Sequence, residues 1–270
     1  MRFAVNLPNF GTFSDPQFMV DLSRIAEEAG WDGFFVWDHI VVGDGMPVAD
    51  PWVLLGAVAG ETERILIGTM VTPVPRRRPW VLARQATTVD HLSNGRLVLG
   101  VGIGFPPDIE FGTFDEPVEA RRRADMLDEG LAVMQGIWRG KPFSFAGRHY
   151  RVAERIFAPE PVGAVPIWVA GMWPNRRPFR RAAAYDGVFP MAEDMHPLTP
   201  SEVAEIVVYV RRHRADDGPF DVTIGGPPLS PGELEEYRAA GVTWYQVGPD
   251  PRGESPEETR GWIAAGPPRS

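Results

Sequence analysis

Asp38 and His39 end the apolar run Gly33–Trp37, which has the length and composition of a strand buried on both faces. A carboxylate beside an imidazole can orient a group that takes or gives a proton at cellular pH, which is general acid–base chemistry. The same pair also suits a loop cap next to a satisfied, partly buried histidine. The five histidines, His39, His91, His149, His196 and His213, include no His-x-His pair, so a metal-dependent hydrolase lacks its usual ligands. Without cysteine there are no disulfides, thiolate metal sites or cysteine nucleophiles.

Glycine recurs where other chemistry would need room: Gly68-Thr69, Gly100-Val-Gly102-Ile-Gly104, Ala170-Gly171 and Gly225-Gly226. Such glycines let a flat ligand approach the backbone, or else serve close packing and tight turns. The GxGxG run is not a dinucleotide fingerprint, which needs its glycines between a first strand and its helix. The stretch GMWPNRRPFRRAA, Gly171 to Ala183, is expected to open a helix, where backbone N–H groups with Arg176 and Arg177 would hold an anion. Arg180 and Arg181 are expected on its solvated outside. VPRRRPW, Val74 to Trp80, reads either as a cationic patch for an anionic ligand tail or as solvated loop charge.

Eight short apolar runs would position these groups, near Phe3–Leu7, Gly33–Trp37, Ile65–Val71, Leu97–Val101, Ile167–Val169, Val188–Phe189, Val222–Ile224 and Trp244–Val247. The helices between them announce their starts by a capping residue and proline: Asp15-Pro16, Asp50-Pro51, Thr199-Pro200, Ser230-Pro231 and Ser255-Pro256. Glu202, Glu233 and Glu258 complete capping boxes. In the first helix Phe18, Leu22, Ile25 and Ala29 form the expected inward stripe, Asp21, Arg24, Glu27 and Glu28 the outer face, and Gly30 the left-handed stop. Eight strand–helix units in this length predict an α/β fold, a (β/α)8 TIM barrel, with a doubly wound open sheet as competitor. Pro142–Pro166, with SFAGRHYRV alternating like a hairpin, reads as an insertion before the fifth strand. In such a barrel Asp38 and His39 fall at the mouth, the end where active sites form.

A chain of 270 residues, 44% hydrophobic and 23% charged, can bury a full core. Its net charge of −9 argues against a nucleic-acid partner. Lys141 is the single lysine against 26 arginines, a bias that fits GC-rich coding and, in part, planar anion contacts. No apolar run is long enough for a membrane span and MRFAVNLPNF lacks signal-peptide zones, so a soluble, cytoplasmic protein is expected.

Several stretches then carry a resemblance: LPNFG (Leu7–Gly11), AEEAGWDGFFVWDH (Ala26–His39), the long block Thr62–Gly104, RADMLDEGLAVMQGIWRG (Arg123–Gly140), FAGRHYRV (Phe145–Val152), PIWVAG (Pro166–Gly171) and FRRAAAYDGVFP (Phe179–Pro190). The sequence resembles the bacterial luciferase-like monooxygenase family, whose members use reduced FMN or the deazaflavin coenzyme F420. The resemblance implies one TIM-barrel domain over residues 1–270, with the insertion at about 142–166. It implies a non-prolyl cis peptide at Met70–Val71, the flavin ring over Thr69, Met70 and Val71 beside Gly102, Ile103 and Gly104, and the phosphate near Ala170, Gly171, Met172, Asn175 and Arg176. His39 would be catalytic, with Asp38 orienting it. Phe10, Trp37, Phe105, Trp173 and Phe189 would wall the mouth against water.

The leading expectation is a monooxygenase using FMN and oxygen on a small organic substrate, with a flavin reductase partner and a homodimeric assembly. The alternative is F420-dependent hydride transfer, and a barrel that binds flavin without turnover is the non-enzymatic rival. Deazaflavin-dependent sugar-phosphate dehydrogenases of the family place a glutamate directly after the glycine run and a tryptophan four residues after the histidine. Here those positions hold Phe105 and Gly43. MWPN also replaces the usual small start of the fifth helix.

Overall fold

The computed structural model describes residues 1–249 and 254–268. Eight parallel strands close into a barrel: β1 (Arg2–Leu7), β2 (Gly33–Val36), β3 (Leu66–Pro73), β4 (Leu97–Gly102), β7 (Ile167–Trp173), β8 (Gly187–Ala192), β9 (Asp221–Gly226) and β10 (Trp244–Val247). Between β4 and β7 the antiparallel hairpin β5 (Phe143–Ala146) and β6 (Arg151–Arg155) forms a separate sheet inside the stretch expected as an insertion. The helices are α1 (Pro16–Ala29), α2 (Pro51–Glu61), α3 (Pro79–Leu92), α4 (Pro107–Glu110), α5 (Ala120–Ile137), α6 (Arg176–Ala182), α7 (Pro200–Arg211), α8 (Pro231–Ala239) and α9 (Pro256–Ala265). Among the described residues no helix is long and apolar enough to cross a membrane.

Alternate residues along each strand face opposite ways, and the barrel uses both faces. Phe3, Val5, Leu7, Phe34, Val36, Leu99 and Val101 pack outward against the helices. Ala4, Phe35, Met70, Val98, Trp168, Phe189 and Trp244 fill the lumen, with the rings of Trp168 and Trp244 5.4 Å apart. This plug closes the barrel below its mouth.

The five expected proline-initiated helices all begin where the caps place them. Asp15, Asp50, Thr199, Ser230 and Ser255 each accept a backbone N–H, and the last three form complete capping boxes. Gly30 ends α1 at φ 86°. The expected stripe of α1 does face the core: Leu22 is buried and Phe18, Ile25 and Ala29 pack on the core partly buried, with Met19, Ser23 and Ala26 buried beside them and Phe18 stacked on Phe13 at 6.2 Å. Glu27 is not an outer-face charge. Its carboxylate accepts the backbone N–H groups of Glu63 (3.0 Å), Arg64 (2.6 Å) and Ile65 (2.9 Å), and so fixes the chain as it enters β3.

Two strands run further than their apolar cores. β3 continues through a bulge between Thr69 and Thr72, and β7 continues to Trp173 in register with β8. Gly68 and Gly100 make the β3–β4 approach possible. A Cβ on Gly68 would stand 1.8 Å from the Val98 carbonyl oxygen, and one on Gly100 2.1 Å from that of Thr69. These two glycines serve strand packing rather than ligand approach.

Candidate active site at the barrel mouth

His39 leaves β2 held at both ends of its backbone. Its N–H donates to Asn9 Oδ1 (3.1 Å), and its carbonyl accepts from Asn9 Nδ2 (2.8 Å), which also donates to Ala49. The ring sits edge-on to Phe10 at 5.6 Å and tilted to Trp37 at 5.8 Å. Its Nδ1 lies 2.9 Å from Glu110 Oε1, the same oxygen that accepts the Ile40 N–H at 3.3 Å. A carboxylate offers only acceptors, so Nδ1 carries the proton and Nε2 keeps a lone pair. Burial first, and then the Arg76 guanidinium, push the imidazole below its ordinary pKa, against the upward pull of Asp38.

Asp38 does not orient His39. Consecutive side chains on an extended backbone point apart. The Asp38 carboxylate, 3% exposed as a residue, instead accepts from Thr72 Oγ1 (2.8 Å) and from Arg77 through Nε (3.2 Å) and Nη2 (2.8 Å). Arg76 pairs with Asp38 and with Glu110, and also donates to the Asp38 carbonyl at 2.8 Å. Arg76 and Arg77 are therefore neither a ligand patch nor solvated charge. They neutralise two buried carboxylates, as a low-dielectric site requires.

The Met70–Val71 peptide is cis, as the resemblance implies. Met70 belongs to the lumen cluster and Val71 packs against it. A Cβ on Gly102 would meet Val71 Cγ2 at 3.0 Å and Ala170 Cβ at 3.7 Å, so Val71, Gly102 and Ala170 form a shallow cradle of small groups. The other residues expected to touch a ligand are spent differently. The Thr69 hydroxyl bonds the Gly100 carbonyl at 3.2 Å and lies 2.9 Å from that of Thr72. Ile103 and Gly104 give their carbonyls to buried Arg123, each at 2.6 Å, and the space at Gly104 (φ 85°) is filled by Phe111. Arg123 also lies over the Phe111 ring at 4.8 Å.

Gly171 and Met172 belong to β7, paired with Pro190 and Met191, so they do not open the next helix. Pro178 occupies the place of a Gly171 side chain, 2.5 Å from the Cβ position. Asn175 caps α6. Exposed Arg176 stacks on Trp173 (3.9 Å) and Tyr209 (4.7 Å). Arg177 binds Asp125 (2.5 Å) and Asp128 (3.2 Å), and Arg181, expected in solvent, is buried against Asp128 and the Ala124 carbonyl. Trp173 packs outward on Phe179 at 5.3 Å and is not part of the mouth wall.

Glu110 and Asn9, which complete the site, were missing from the sequence expectation, and Arg76 and Arg77 were expected there only as a ligand patch or as solvated charge. Glu110 carried one signal, a carboxylate set between Ile109 and Phe111 in the Pro-, Gly- and Phe-rich stretch Phe105–Pro117 that follows the fourth apolar run. Among the described residues no group of three or more His, Cys, Asp or Glu side chains could hold a metal ion.

A family model described as luciferase-like monooxygenase matches residues 1–268. The chain belongs to this family. Among curated relatives, an F420-dependent glucose-6-phosphate dehydrogenase of Nocardia farcinica is 35% identical over 180 residues, 64% of this chain and 52% of the relative. One of Microbacterium testaceum is 34% identical over 165 residues, covering 59% of this chain and 48% of that protein. The chain thus spans about half the length of these curated relatives. Among solved structures, an F420-dependent secondary alcohol dehydrogenase in complex with an F420-acetone adduct superposes with a TM-score of 0.77 at 19% identity, over 92% of this chain and 94% of its own. The FMN complex of the oxygenating constituent of a diketocamphane monooxygenase of Pseudomonas putida reaches 0.70 at 18% identity, over 85% and 67%. At these identities the structures speak for the fold, and both luciferase-like barrels match it.

Proposed function

We propose that this luciferase-like barrel is an F420-dependent oxidoreductase that interconverts an alcohol and a carbonyl compound, with His39 handling the hydroxyl proton. The carrying observation is the Glu110-tethered imidazole, whose unprotonated Nε2 stands at the end of β2, the strand paired with the one that carries the Met70–Val71 peptide. When bound, F420 supplies the carbon that accepts or returns a hydride. Met70, Val71, Gly102 and Ala170 would carry its ring, and Asn175 and Arg176 its phosphate end. His39 Nε2 takes the hydroxyl proton as the C–H bond breaks, and Glu110 holds the resulting imidazolium in place. Phe10 and Trp37 keep bulk water from that proton.

The leading expectation named FMN with oxygen and a flavin reductase. A tethered base suits proton-coupled hydride transfer more directly, and the names of the curated relatives favour F420. A cytoplasmic setting and the homodimer implied by the family resemblance belong to the same proposal. Equilibrium titration with F420 and with FMN, followed by anaerobic turnover, tests it. Tight F420 binding with oxygen-independent turnover is the expected result. FMN binding with obligatory oxygen uptake would overturn it, and elution at the mass of one chain would remove the dimer.

A further inference from the structure

The bond between Glu110 and His39 draws together the loops that follow β2 and β4, and both present large apolar side chains to solvent. Ile40 is 51% exposed, Met46 44%, Phe105 54%, Ile109 38% and Phe114 50%. Ile40 and Ile109 adjoin the two bonded residues in sequence, so the apolar groups begin beside the reactive imidazole. Exposed apolar side chains on the loops that hold a reactive group mark where a ligand is received.

The charges of these loops point the same way. Arg76 and Arg77 are bound to Asp38 and Glu110, and Arg123 is bound to the carbonyls of Ile103 and Gly104. What the two loops leave exposed is acidic: Asp44, Asp108 and Asp115. A phosphate laid on these two loops would lose its hydration and meet carboxylates, with no guanidinium of either loop to replace the lost water.

Resting on the proton-handling role of His39, we infer that the mouth takes neutral alcohols or ketones with an apolar body, and excludes phosphorylated sugars. The oxygen of such a ligand bonds His39 Nε2, and its hydrocarbon part lies on the loops after β2 and β4. The relatives named for glucose 6-phosphate would then differ from this chain in what the mouth admits.

The test is calorimetric titration of the full chain, alone and with F420, by butan-2-one, hexan-2-one, octan-2-one and glucose 6-phosphate. Affinity should rise roughly fourfold for each added methylene, the usual increment for burying that group. Glucose 6-phosphate should bind at least about a hundredfold more weakly than octan-2-one. Phe105→Ser and Phe114→Ser should each weaken octan-2-one about tenfold or more without moving the unfolding midpoint. Equal binding of the sugar phosphate, a flat chain-length series, or unchanged affinity in both folded variants overturns the inference. Loss of the oxidised deazaflavin spectrum is read separately. Ketone binding with no alcohol able to reduce F420 sinks the hydride-transfer reading and leaves the ligand class standing. Reduction by glucose 6-phosphate does the opposite.

Discussion

Glu110 Oε1 lies 2.9 Å from Nδ1 of His39, a residue 71 positions earlier in the chain. The contact joins a strand end to a short helix, α4, inside a loop of another strand, and it sets which imidazole nitrogen is left for chemistry. Arg76 stands behind it, paired to Glu110 on one side and Asp38 on the other, so the orientation of His39 rests on a buried network rather than on one bond.

His39→Ala should lower turnover by about 10²–10⁴-fold, the range for losing a positioned acid or base, with cofactor affinity and unfolding midpoint nearly intact. Glu110→Gln should cost less, roughly 10–10²-fold, because an amide oxygen can still accept from Nδ1 but the charge that steadies the imidazolium is gone. Single-turnover hydride transfer, measured anaerobically on both variants, checks this. An unchanged rate in His39→Ala would remove the residue from the mechanism.

The pH profile follows from the lowered pKa of His39, which is buried, bonded to Glu110 and within the fields of Arg76 and Asp38. Alcohol oxidation needs the neutral imidazole, so the acid limb of kcat/KM should fall below the ordinary histidine value of about 6.5. The stability sign is the reverse of a salt-bridged histidine. Below about 6.5 the unfolded chain binds a proton that the folded chain declines, so this group destabilises the fold until the folded pKa is passed. Urea titrations from neutral to mildly acidic pH should show that loss in the parent and not in His39→Gln.

Arg176→Ala should weaken a phosphate-bearing cofactor more than its dephosphorylated form, since arginine adds charge-assisted bonds that only the phosphate can use. The aromatic stack on Trp173 and Tyr209 supplies the contrasting outcome. If Arg176 serves only that stack, both cofactor forms will bind unchanged and the unfolding midpoint alone will drop.

Gly68→Ala should destabilise the barrel by about 3 kcal/mol or more, because backbone rather than a movable side chain occupies the Cβ position. Gly225→Ala should be tolerated, its nearest neighbour being the Phe189 ring at 3.7 Å. Paired denaturant unfolding of the two variants measures the difference, and equal midpoints would contradict this reading of the glycines.

The barrel was legible because its signals are local. Asp15-Pro16, Asp50-Pro51, Thr199-Pro200, Ser230-Pro231 and Ser255-Pro256 each mark a helix start from neighbouring residues, and alternation of apolar runs with helices counts the strands. His39 was legible by its place at a strand end. Its partners were not, because Glu110 and Arg76 meet it only after the barrel closes, and no spacing rule links positions so far apart. Gly68 and Gly100 were ambiguous for the same reason, since a glycine that admits a ligand and one that admits a neighbouring strand look alike in one dimension. The end of β7 was placed too early because MWPN breaks the apolar run while Met172 and Trp173 still pair with Met191 and Ala192.

The separate hairpin has a bearing on how copies of this chain behave when crowded. A closed barrel has no free strand edge, so among the described residues the unpaired backbone groups that template strand-on-strand aggregation are confined to β5 and β6. Those strands are four and five residues long, and β6 carries Arg151, Glu154 and Arg155. In-register parallel pairing of two β6 edges would set arginine on arginine and glutamate on glutamate, which opposes growth from that edge, and the β5 edge offers only four residues.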